Sequence, residues 1–159
     1  MRQSYRTPIF ETWTFEDDGL DLRQRMGRLM VATSGQRFYG IGRSLGAWLA
    51  EQNARDGELS VFLRHTSASL TIQENADPDV QADLLDALAR LAPEDAGWRH
   101  RSEGPDDMPA HVKTMLTGVS LRVPVVAGRL DLGTWQEVYL VEHRREAQQR
   151  SLTLRYLGT

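Results

Sequence analysis

The sequence contains no cysteine among its 159 residues. Disulfides, thiolate nucleophiles and thiolate metal ligands are therefore excluded, and a bound zinc ion would need histidine and carboxylate ligands. Long apolar runs are also missing, since none approaches the roughly 20 residues of a membrane-spanning helix, and residues 1–5 lack the apolar core of a secretory signal. We therefore expect a cytoplasmic protein that is not inserted in a membrane.

Neither sign of charge dominates the chain. Nineteen Lys and Arg residues stand against 22 Asp and Glu residues, which gives a formal net charge of −3. This balance provides no reason to expect nucleic acid or an anionic membrane as a partner. Internal repeats, heptads and low-complexity segments are absent as well, and the length suits one domain, so we predict a single domain over residues 1–159.

Apolar alternation predicts several short strands. They cover residues 7–15, 59–63, 70–72, 119–123, 135–143 and 152–156. Residues 16–19 are predicted to form a turn and residues 144–150 a polar loop, whereas residues 20–39 fit either a short helix or a strand. Because the strands mostly come in adjacent pairs, the fold class expected is α+β, an antiparallel β-sandwich with a few packed helices.

Two helices are indicated by apolar residues at helical spacing. The first contains Leu45, Trp48 and Leu49 and ends before Asp56-Gly57. The second begins at Asp77-Pro78, a cap followed by proline at the first helical position, and ends at Ala92-Pro93. Its apolar stripe is expected to face the core and consists of Val80, Leu84, Leu88 and Leu91.

The segment from Glu103 to His111 has the sequence Glu-Gly-Pro-Asp-Asp-Met-Pro-Ala-His. Gly104-Pro105 fixes a turn, and Asp106 or Asp107 can cap a helix with Pro109 in its first turn. Acid, base and cation are thereby brought to one helix start, where an anion such as phosphate could be held. An ordinary capped loop is the alternative.

Three long motifs occur in order: residues 65–79 (HTSASLTIQENADPD), residues 103–111 and residues 132–136 (LGTWQ). Their combination resembles the YjbQ-like family, often labelled secondary thiamine-phosphate synthase, over about residues 38–159, with residues 1–37 extended relative to the family. The resemblance implies a small α+β domain with a β-sandwich, assembled as a homotrimer.

Three histidines lie at element boundaries and not within an apolar stripe, namely His65, His100 and His111. Neutral imidazoles are good ligands for zinc and other transition metals, and three of them leave a coordination position open. Whole elements separate the three, so a metal site depends on the fold bringing them together. The alternative is an imidazolium cluster that binds phosphate or shuttles protons. A solvated or hydrogen-bonded surface role is expected for His143.

Acidic and polar side chains near the motifs are the other candidates. At least one of Asp106 and Asp107 is expected to cap the helix, and either could hold magnesium. Glu74 or Glu103 could orient a ligand histidine through its second nitrogen. Candidates for binding a polar substrate, although such groups also satisfy turns, are Ser67, Asn75, Lys113, Thr134 and Gln136.

The resemblance implies that thiamine phosphate forms from a hydroxymethylpyrimidine diphosphate and a thiazole phosphate. The catalytic candidates are then His65, His111, Asp107 and Glu103, and Lys113 could help to neutralise the diphosphate. Three histidines favour zinc, whereas diphosphate departure normally uses magnesium on oxygen ligands, so both ions are considered. Two alternatives are a metal-dependent hydrolase of a small phosphorylated substrate and a non-catalytic trimeric metabolite-binding protein.

Overall fold

The computed structural model describes residues 10–15 and 22–159 of the chain. In these residues the strands are β1 (Phe10–Phe15), β2 (Arg23–Thr33), β3 (Arg37–Gly40), β4 (Gly57–Leu63), β5 (Ala68–Glu74), β6 (Ser120–Val126), β7 (Arg129–Leu130), β8 (Gln136–Glu142) and β9 (Gln148–Gly158). The helices are α1 (Gly42–Glu51), α2 (Pro78–Leu91) and α3 (Asp107–Thr117). No helix of this described part is long and apolar enough to cross a membrane.

The strands form two antiparallel sheets. In the part of the chain that the structure describes, one sheet has the order β1-β2-β9-β4-β6-β7 and the other the order β3-β8-β5. Apolar residues of both sheets and of α1 share one buried core, with Leu29, Leu59 and Leu154 from the first sheet and Leu70 and Leu140 from the second. The predicted α+β class with an antiparallel sandwich is confirmed.

The segment whose sequence fits either helix or strand forms β2 and β3. All eleven residues of β2 pair with β9, from Arg23 opposite Gly158 to Thr33 opposite Gln148. Gly27 in the middle of β2 lies against α1, because a Cβ atom there would be 2.6 Å from Nε1 of Trp48. Glycine is therefore required at position 27, where the indole of the buried Trp48 packs against the sheet.

The second predicted helix has the expected ends but not the expected burial. Asp77 is the N-cap of α2 and its carboxylate accepts a hydrogen bond from the backbone N–H of Asp79 at 2.9 Å. None of the side chains of α2, all of which are described, is fully buried, and Leu91 is 66% exposed. The prediction that the whole stripe faces the core is wrong, since α2 covers only the outer side of the smaller sheet through Leu84 and Leu85.

Substitutions in α1 and α2 should therefore differ in cost. Leu45→Ala removes a fully buried side chain and should lower the free energy of unfolding by about 3–5 kcal/mol, whereas Leu84→Ala at a half-buried position should cost about 1–2 kcal/mol. Urea unfolding of the two variants beside wild type measures the difference. Equal costs would contradict the shallow packing of α2.

Four other local predictions need correction or fall outside the described residues. β6 continues through Pro124, whose side chain is exposed, and does not end there. The predicted loop at residues 144–150 ends early, because β9 begins at Gln148 and Arg150 is buried within it. The predicted strand start at residues 7–9 and the turn at 16–19 lie outside the described residues.

Candidate metal centre

Three side chains converge at the start of α3. The ligand atoms of His100, Asp107 and His111, called here the trio, all lie within 4.8 Å of one another. Oδ2 of Asp107 is 2.8 Å from Nε2 of His100 and 3.2 Å from Nε2 of His111. Asp107 is only 2% exposed, so one buried carboxylate oxygen faces two imidazole nitrogens.

The local fold of α3 sets this geometry. Asp107 and His111 are four residues apart in the helix and therefore lie on one face. The helix is fixed to β5 by the Thr114 hydroxyl, which donates to the carbonyl of Ala68 at 3.2 Å. His111 Nδ1 lies 2.9 Å from the carbonyl oxygen of Thr66. Because a carbonyl only accepts, Nδ1 is the donor in this contact, and Nε2 is the nitrogen that faces Asp107 and would bind a metal ion.

Arg144 lies in the connection between β8 and β9 and contacts the carboxylates of Asp106 and Asp107. Its Nη1 contacts Oδ1 of Asp107, which leaves Oδ2 for the two histidines. Its Nε lies 3.3 Å from Oδ2 of Asp106, and its Nη2 donates to the backbone carbonyl of Glu103 at 2.6 Å. One guanidinium therefore fixes the carboxylate of the trio and the loop that precedes it.

Asp106 does not cap α3 through its side chain. It occupies the N-cap position, but no hydrogen bond from the helix start reaches its carboxylate. Burial alone would raise the pKa of Asp106, but a hydrogen bond from the backbone N–H of Arg145 at 2.8 Å and the contact with Arg144 outweigh it, so the pKa is lowered. The carboxylate ties α3 to the β8–β9 connection, and the capping prediction for this pair is corrected accordingly.

His65 lies apart from the trio. Its Nε2 accepts a hydrogen bond from the backbone N–H of Ser151 at 2.9 Å, so that nitrogen already has a partner. Burial first, and then the positive charge of Arg150, lower the pKa of His65. The structure therefore brings together two of the three predicted histidine ligands, with Asp107 in the place of His65.

The candidate substrate-binding residues divide between two ends of the smaller sheet. The trio lies beyond the end where Ala68 pairs with Glu142, whereas Asn75, Thr134 and Gln136 lie at the end where Glu74 pairs with Gln136. The β5 strand spans six residue steps between these ends, about 20 Å. Within one chain, these three residues do not reach the trio.

At that far end of the smaller sheet, the contacts are those of a turn. The Gln136 side-chain oxygen accepts from the backbone N–H of Gly133 at 2.8 Å, and the backbone N–H of Asn75 donates to the carbonyl of Trp135 at 2.9 Å. The Thr134 side chain is exposed. Two of the three residues thus stabilise the entry into β8.

The other candidates lie nearer to the trio. Lys113 is buried, and burial is the main cause of its lowered pKa, so it is not a surface cation. Ser67 is half-buried, and its carbonyl accepts from Arg150 at 3.3 Å. Glu103 has an exposed side chain, and its backbone carbonyl contacts Arg144. Of these, only Glu103 is linked to the trio by a hydrogen bond to Arg144, through its backbone.

His143 is buried, and the expected surface role is wrong. Its Nε2 lies 2.8 Å from the hydroxyl of Ser69, which is itself fully buried. Burial, followed by the nearby positive charge of Lys113, lowers the pKa of His143 to about 4. The imidazole is therefore neutral at pH 7 and serves the packing between β5 and β8.

The trio fits a divalent transition metal better than magnesium. Two imidazole nitrogens and one carboxylate oxygen suit zinc, iron, cobalt or manganese, whereas magnesium prefers oxygen ligands and retains water. Both histidines are partly accessible and only Asp107 is fully enclosed. Three protein ligands leave further coordination positions for water or a substrate oxygen. Arg144 on the carboxylate and Thr66 on His111 are the outer contacts that such a site requires.

Comparison with known proteins matches residues 28–159 to the family described as UPF0047 protein YjbQ-like. A UPF0047 protein of Synechocystis is 47% identical over 137 residues, which is 86% of this chain and 93% of that protein. The match begins at residue 28, earlier than the expected Phe38.

Solved structures show the same fold. A conserved hypothetical protein of Thermus thermophilus is 40% identical, with a TM-score of 0.73 over 81% of this chain and 98% of that chain. A YbjQ-like protein of unknown function from Sulfolobus solfataricus gives a TM-score of 0.79 over 87% of this chain and 99% of that chain, at 22% identity. This second similarity concerns the fold alone.

Proposed function

The chain belongs to the YjbQ-like UPF0047 family, and from this premise we propose that it is a metal-dependent enzyme acting on a small diphosphate substrate. The metal ligands in this proposal are His100, Asp107 and His111, with zinc as the first candidate. The observation that carries the proposal is the convergence of three ligand atoms within 4.8 Å on a buried carboxylate. Perturbed or costly arrangements of this kind are concentrated at functional sites.

The reaction that we propose is the thiamine-phosphate synthase-like transfer implied by the family resemblance, as a secondary activity. The C–O bond between the pyrimidine-CH₂ carbon and the diphosphate breaks, and its electron pair leaves with the diphosphate. The thiazole nitrogen lone pair forms the new N–C bond, which yields the thiazolium and inorganic pyrophosphate. When bound, the metal ion would supply positive charge that stabilises the leaving diphosphate.

The residues of this chain contribute orientation. Arg144 would keep Oδ1 of Asp107 occupied so that Oδ2 faces the ion, and Thr66 would hold His111 in the tautomer that presents Nε2. Glu103 would act through its backbone carbonyl on Arg144 and not as a proton donor. This assignment retains His111 and Asp107 among the catalytic candidates and removes His65.

A second candidate is hydrolysis of a phosphorylated small molecule, with water as the acceptor. The observation in its favour is that the remaining substrate-binding candidates, Asn75, Thr134 and Gln136, lie about 20 Å away in the same chain. A site that binds one substrate beside a metal suits hydrolysis more simply than a two-substrate transfer. A non-catalytic binding protein would bind phosphate saturably without turnover and would be insensitive to chelation.

We also propose a homotrimer, as the resemblance implies, and a cytoplasmic location, as the sequence leads us to expect. Exposed apolar side chains support an association of copies, and large ones occur on β4, β6, β9 and α3. They are Phe62, Val126, Leu157, Met115 and Leu116. Sedimentation velocity should give the mass of three 18.0 kDa chains, and a monomer at micromolar concentration would contradict this part of the proposal.

The test of the metal site is His111→Ala beside the matched control His65→Gln. Wild type should bind about one zinc ion per chain, His111→Ala should bind almost none, and His65→Gln should bind as wild type does. The rate of thiamine phosphate formation, measured with zinc and with magnesium, should fall at least about a hundredfold in His111→Ala.

Metal content is measured by elemental analysis, so the result does not depend on knowing the substrate. Full metal content in His111→Ala, or equal loss in His65→Gln, would refute the ligand set. A normal metal site without thiamine phosphate formation, but with chelator-sensitive hydrolysis of phosphate esters, would favour the second candidate.

A further inference from the structure

A cavity of about 430 Å³ lies along one face of α1. Gly42, Gly46 and Ala50 line it from the helix, because residues four apart in a helix share one face. Leu130 and Leu132 line it from β7 and the residues that follow. The volume is within the range of about 300–1,000 Å³ that ligand pockets occupy. The cavity therefore has room for a small molecule beside a helix face that carries almost no side chain.

The glycine in the middle of this helix face keeps the cavity wide. A Cβ atom at Gly46 would meet no heavy atom within 4 Å, so a larger side chain could extend from this position into the cavity. The neighbouring residue, Ala47, is exposed and does not belong to the lining. Size at position 46, but not at position 47, therefore determines how much of the cavity a ligand can occupy.

Glu137 provides a negative charge where α1 begins. Its Oε1 accepts hydrogen bonds from the backbone N–H groups of Gly42 and Val138, both at 2.8 Å. A Cβ atom at position 42 would clash with this carboxylate, so glycine is needed for the contact. In the described part of the chain, both hydrogen bonds to the carboxylate use Oε1, which leaves Oε2 for a further partner. A cation in the cavity can be that partner.

Arg129 provides a positive charge near the other end of α1. The turn before it is fixed to the residues that follow the helix, since the N–H of Gly128 donates to the carbonyl of Arg55 at 2.7 Å and the N–H of Ala127 donates to Oδ1 of Asp56 at 2.9 Å. Arg129 is exposed, lines the cavity and forms no ion pair with any residue of the described ranges. Its guanidinium is therefore available to an anion.

The two charges belong to opposite ends of the cavity. Gly42, which contacts Glu137, and Ala50 are eight residues apart, or about 12 Å along the helix axis. The turn that carries Arg129 packs beyond Ala50, against residues 54 and 55. A complementary ligand thus has a cation and an anion about 10 Å apart, joined by an apolar chain that contacts the helix face and the two leucines.

We propose that this cavity, called here the α1 groove, binds a linear ω-amino acid, with its ammonium group at Glu137 and its carboxylate at Arg129. A carboxylate matches the planar fork of an arginine, and an ammonium group can donate to Oε2 of Glu137. Glu137 pairs with Gln73 near the end of the smaller sheet that is opposite to the trio. The α1 groove is therefore separate from the metal centre and independent of the function proposed for it.

The test measures the affinities of three probes by isothermal titration calorimetry. The probe ω-aminooctanoate carries both charges, whereas octanoate lacks the ammonium group and octylamine lacks the carboxylate. Wild type should bind ω-aminooctanoate at least about tenfold more tightly than either singly charged probe. Zinc-loaded and metal-free protein should give the same affinities, because the lining of the α1 groove contains no residue of the trio.

Substitutions at the two ends should each remove one preference. Glu137→Gln keeps an oxygen that accepts from the N–H of Gly42 but removes the negative charge, so this variant should bind ω-aminooctanoate no more tightly than octanoate. Arg129→Gln removes the positive charge, so it should bind ω-aminooctanoate no more tightly than octylamine. The preference at the unchanged end should remain in each variant.

A substitution in the middle of α1 should block the cavity. Gly46→Leu places a side chain in the α1 groove and should weaken the binding of ω-aminooctanoate at least about tenfold. Leucine is a better helix former than glycine, so this variant is expected to fold. Ala47→Leu is the matched control, because it adds a leucine at an exposed position of the same helix, and it should bind as wild type does.

Three results would overturn the α1 groove as a site for ω-amino acids. They are equal affinities for the three probes in wild type, no binding of ω-aminooctanoate at millimolar concentration, and equal affinities in Gly46→Leu and Ala47→Leu. The zinc content of His111→Ala tests the metal centre separately, so failure of one proposal is distinguishable from failure of the other.

Discussion

Arg150→Met will lower the free energy of unfolding by about 3–5 kcal/mol, because it leaves the carboxylate of Glu142 buried without its cation. Glu142 is fully buried, and Arg150 donates to its two oxygens at 2.7 and 2.5 Å. Burial alone would raise the pKa of Glu142, but the hydrogen bonds from Arg150 and Thr33 outweigh it and lower the pKa. Arg150→Met removes the larger of these two hydrogen-bonding contributions to the pKa of Glu142.

Two controls separate this effect from the loss of any arginine. Arg122→Met breaks an exposed contact of 3.4 Å with Glu58 and should change stability by less than about 1 kcal/mol. The double variant Glu142→Leu with Arg150→Met removes both charges and should cost less than Arg150→Met alone. Urea unfolding measures all three variants, and a cost below about 1 kcal/mol for Arg150→Met would show that Glu142 does not depend on Arg150 for its buried charge.

The damage should extend to the metal centre. The backbone N–H of Arg144 donates to Glu142 at 2.9 Å, and the side chain of Arg144 contacts Asp107. Glu142 therefore positions Arg144, and Arg144 in turn positions the metal ligand Asp107. Weaker zinc affinity in Arg150→Met, by about tenfold, is the expected accompanying result.

The second large effect is a loss of stability in mild acid caused by His143. The folded protein binds a proton at His143 only near pH 4, whereas the unfolded chain binds it near the ordinary value of 6.5. Between these values the unfolded state binds more protons, so stability falls as pH falls, by about 3 kcal/mol over the whole interval. Above pH 6.5 the residue contributes no pH dependence.

Comparison of wild type with His143→Gln isolates this contribution. Glutamine can keep a hydrogen bond to Ser69 but does not titrate, so the variant should lose less stability than wild type between pH 7 and pH 4. Glu142 and Asp106 have lowered pKa values, so the stability that they contribute is lost mainly below pH 4.5 and in both proteins. Parallel stability curves for the two proteins would contradict the buried neutral state of His143.

Local sequence rules predicted the elements whose ends are determined locally. Asp77-Pro78 specified the start of α2, and the spacing of Leu45, Trp48 and Leu49 specified α1, because capping and helical periodicity depend on neighbours in the chain. The burial of α2 was not predictable in this way. A stripe of leucines shows that one face is apolar, but not how deeply the fold covers it.

The strand β2 and the start of β9 required information from distant residues. Arginines at positions 23, 25 and 28 are typical of a solvated face, and the pairing with β1 and β9 makes that segment a strand. From the sequence alone, Arg150 was assigned to a polar loop. Its partner, Glu142, lies on the other side of the β8–β9 connection, so the pairing is not visible from the local pattern. Buried ion pairs cannot be recognised from either partner alone.

The candidate site was partly predictable. His100 and His111 were predicted as ligands from their positions at element boundaries. The four-residue spacing of Asp107 and His111 on one helix face could have indicated Asp107, in place of His65, as the third ligand. Arg144 could not have been assigned, since an arginine after a strand usually faces solvent. Arg144 contacts Asp107 only because the connection between β8 and β9 lies beside the start of α3.

The pairing of β2 with β9 also has a consequence for folding. Thr33 and Gln148, which meet across these strands, are 115 residues apart in the chain. Contacts of such separation slow the search for the native state, and all-β pairings of this kind typically form in milliseconds to seconds. During synthesis, β2 can pair with β1 but not with β9 until residues 148–158 have been made, so one edge of β2 stays unpaired while most of the chain is produced. We infer that the step most exposed to aggregation is the interval before β9 inserts between β2 and β4.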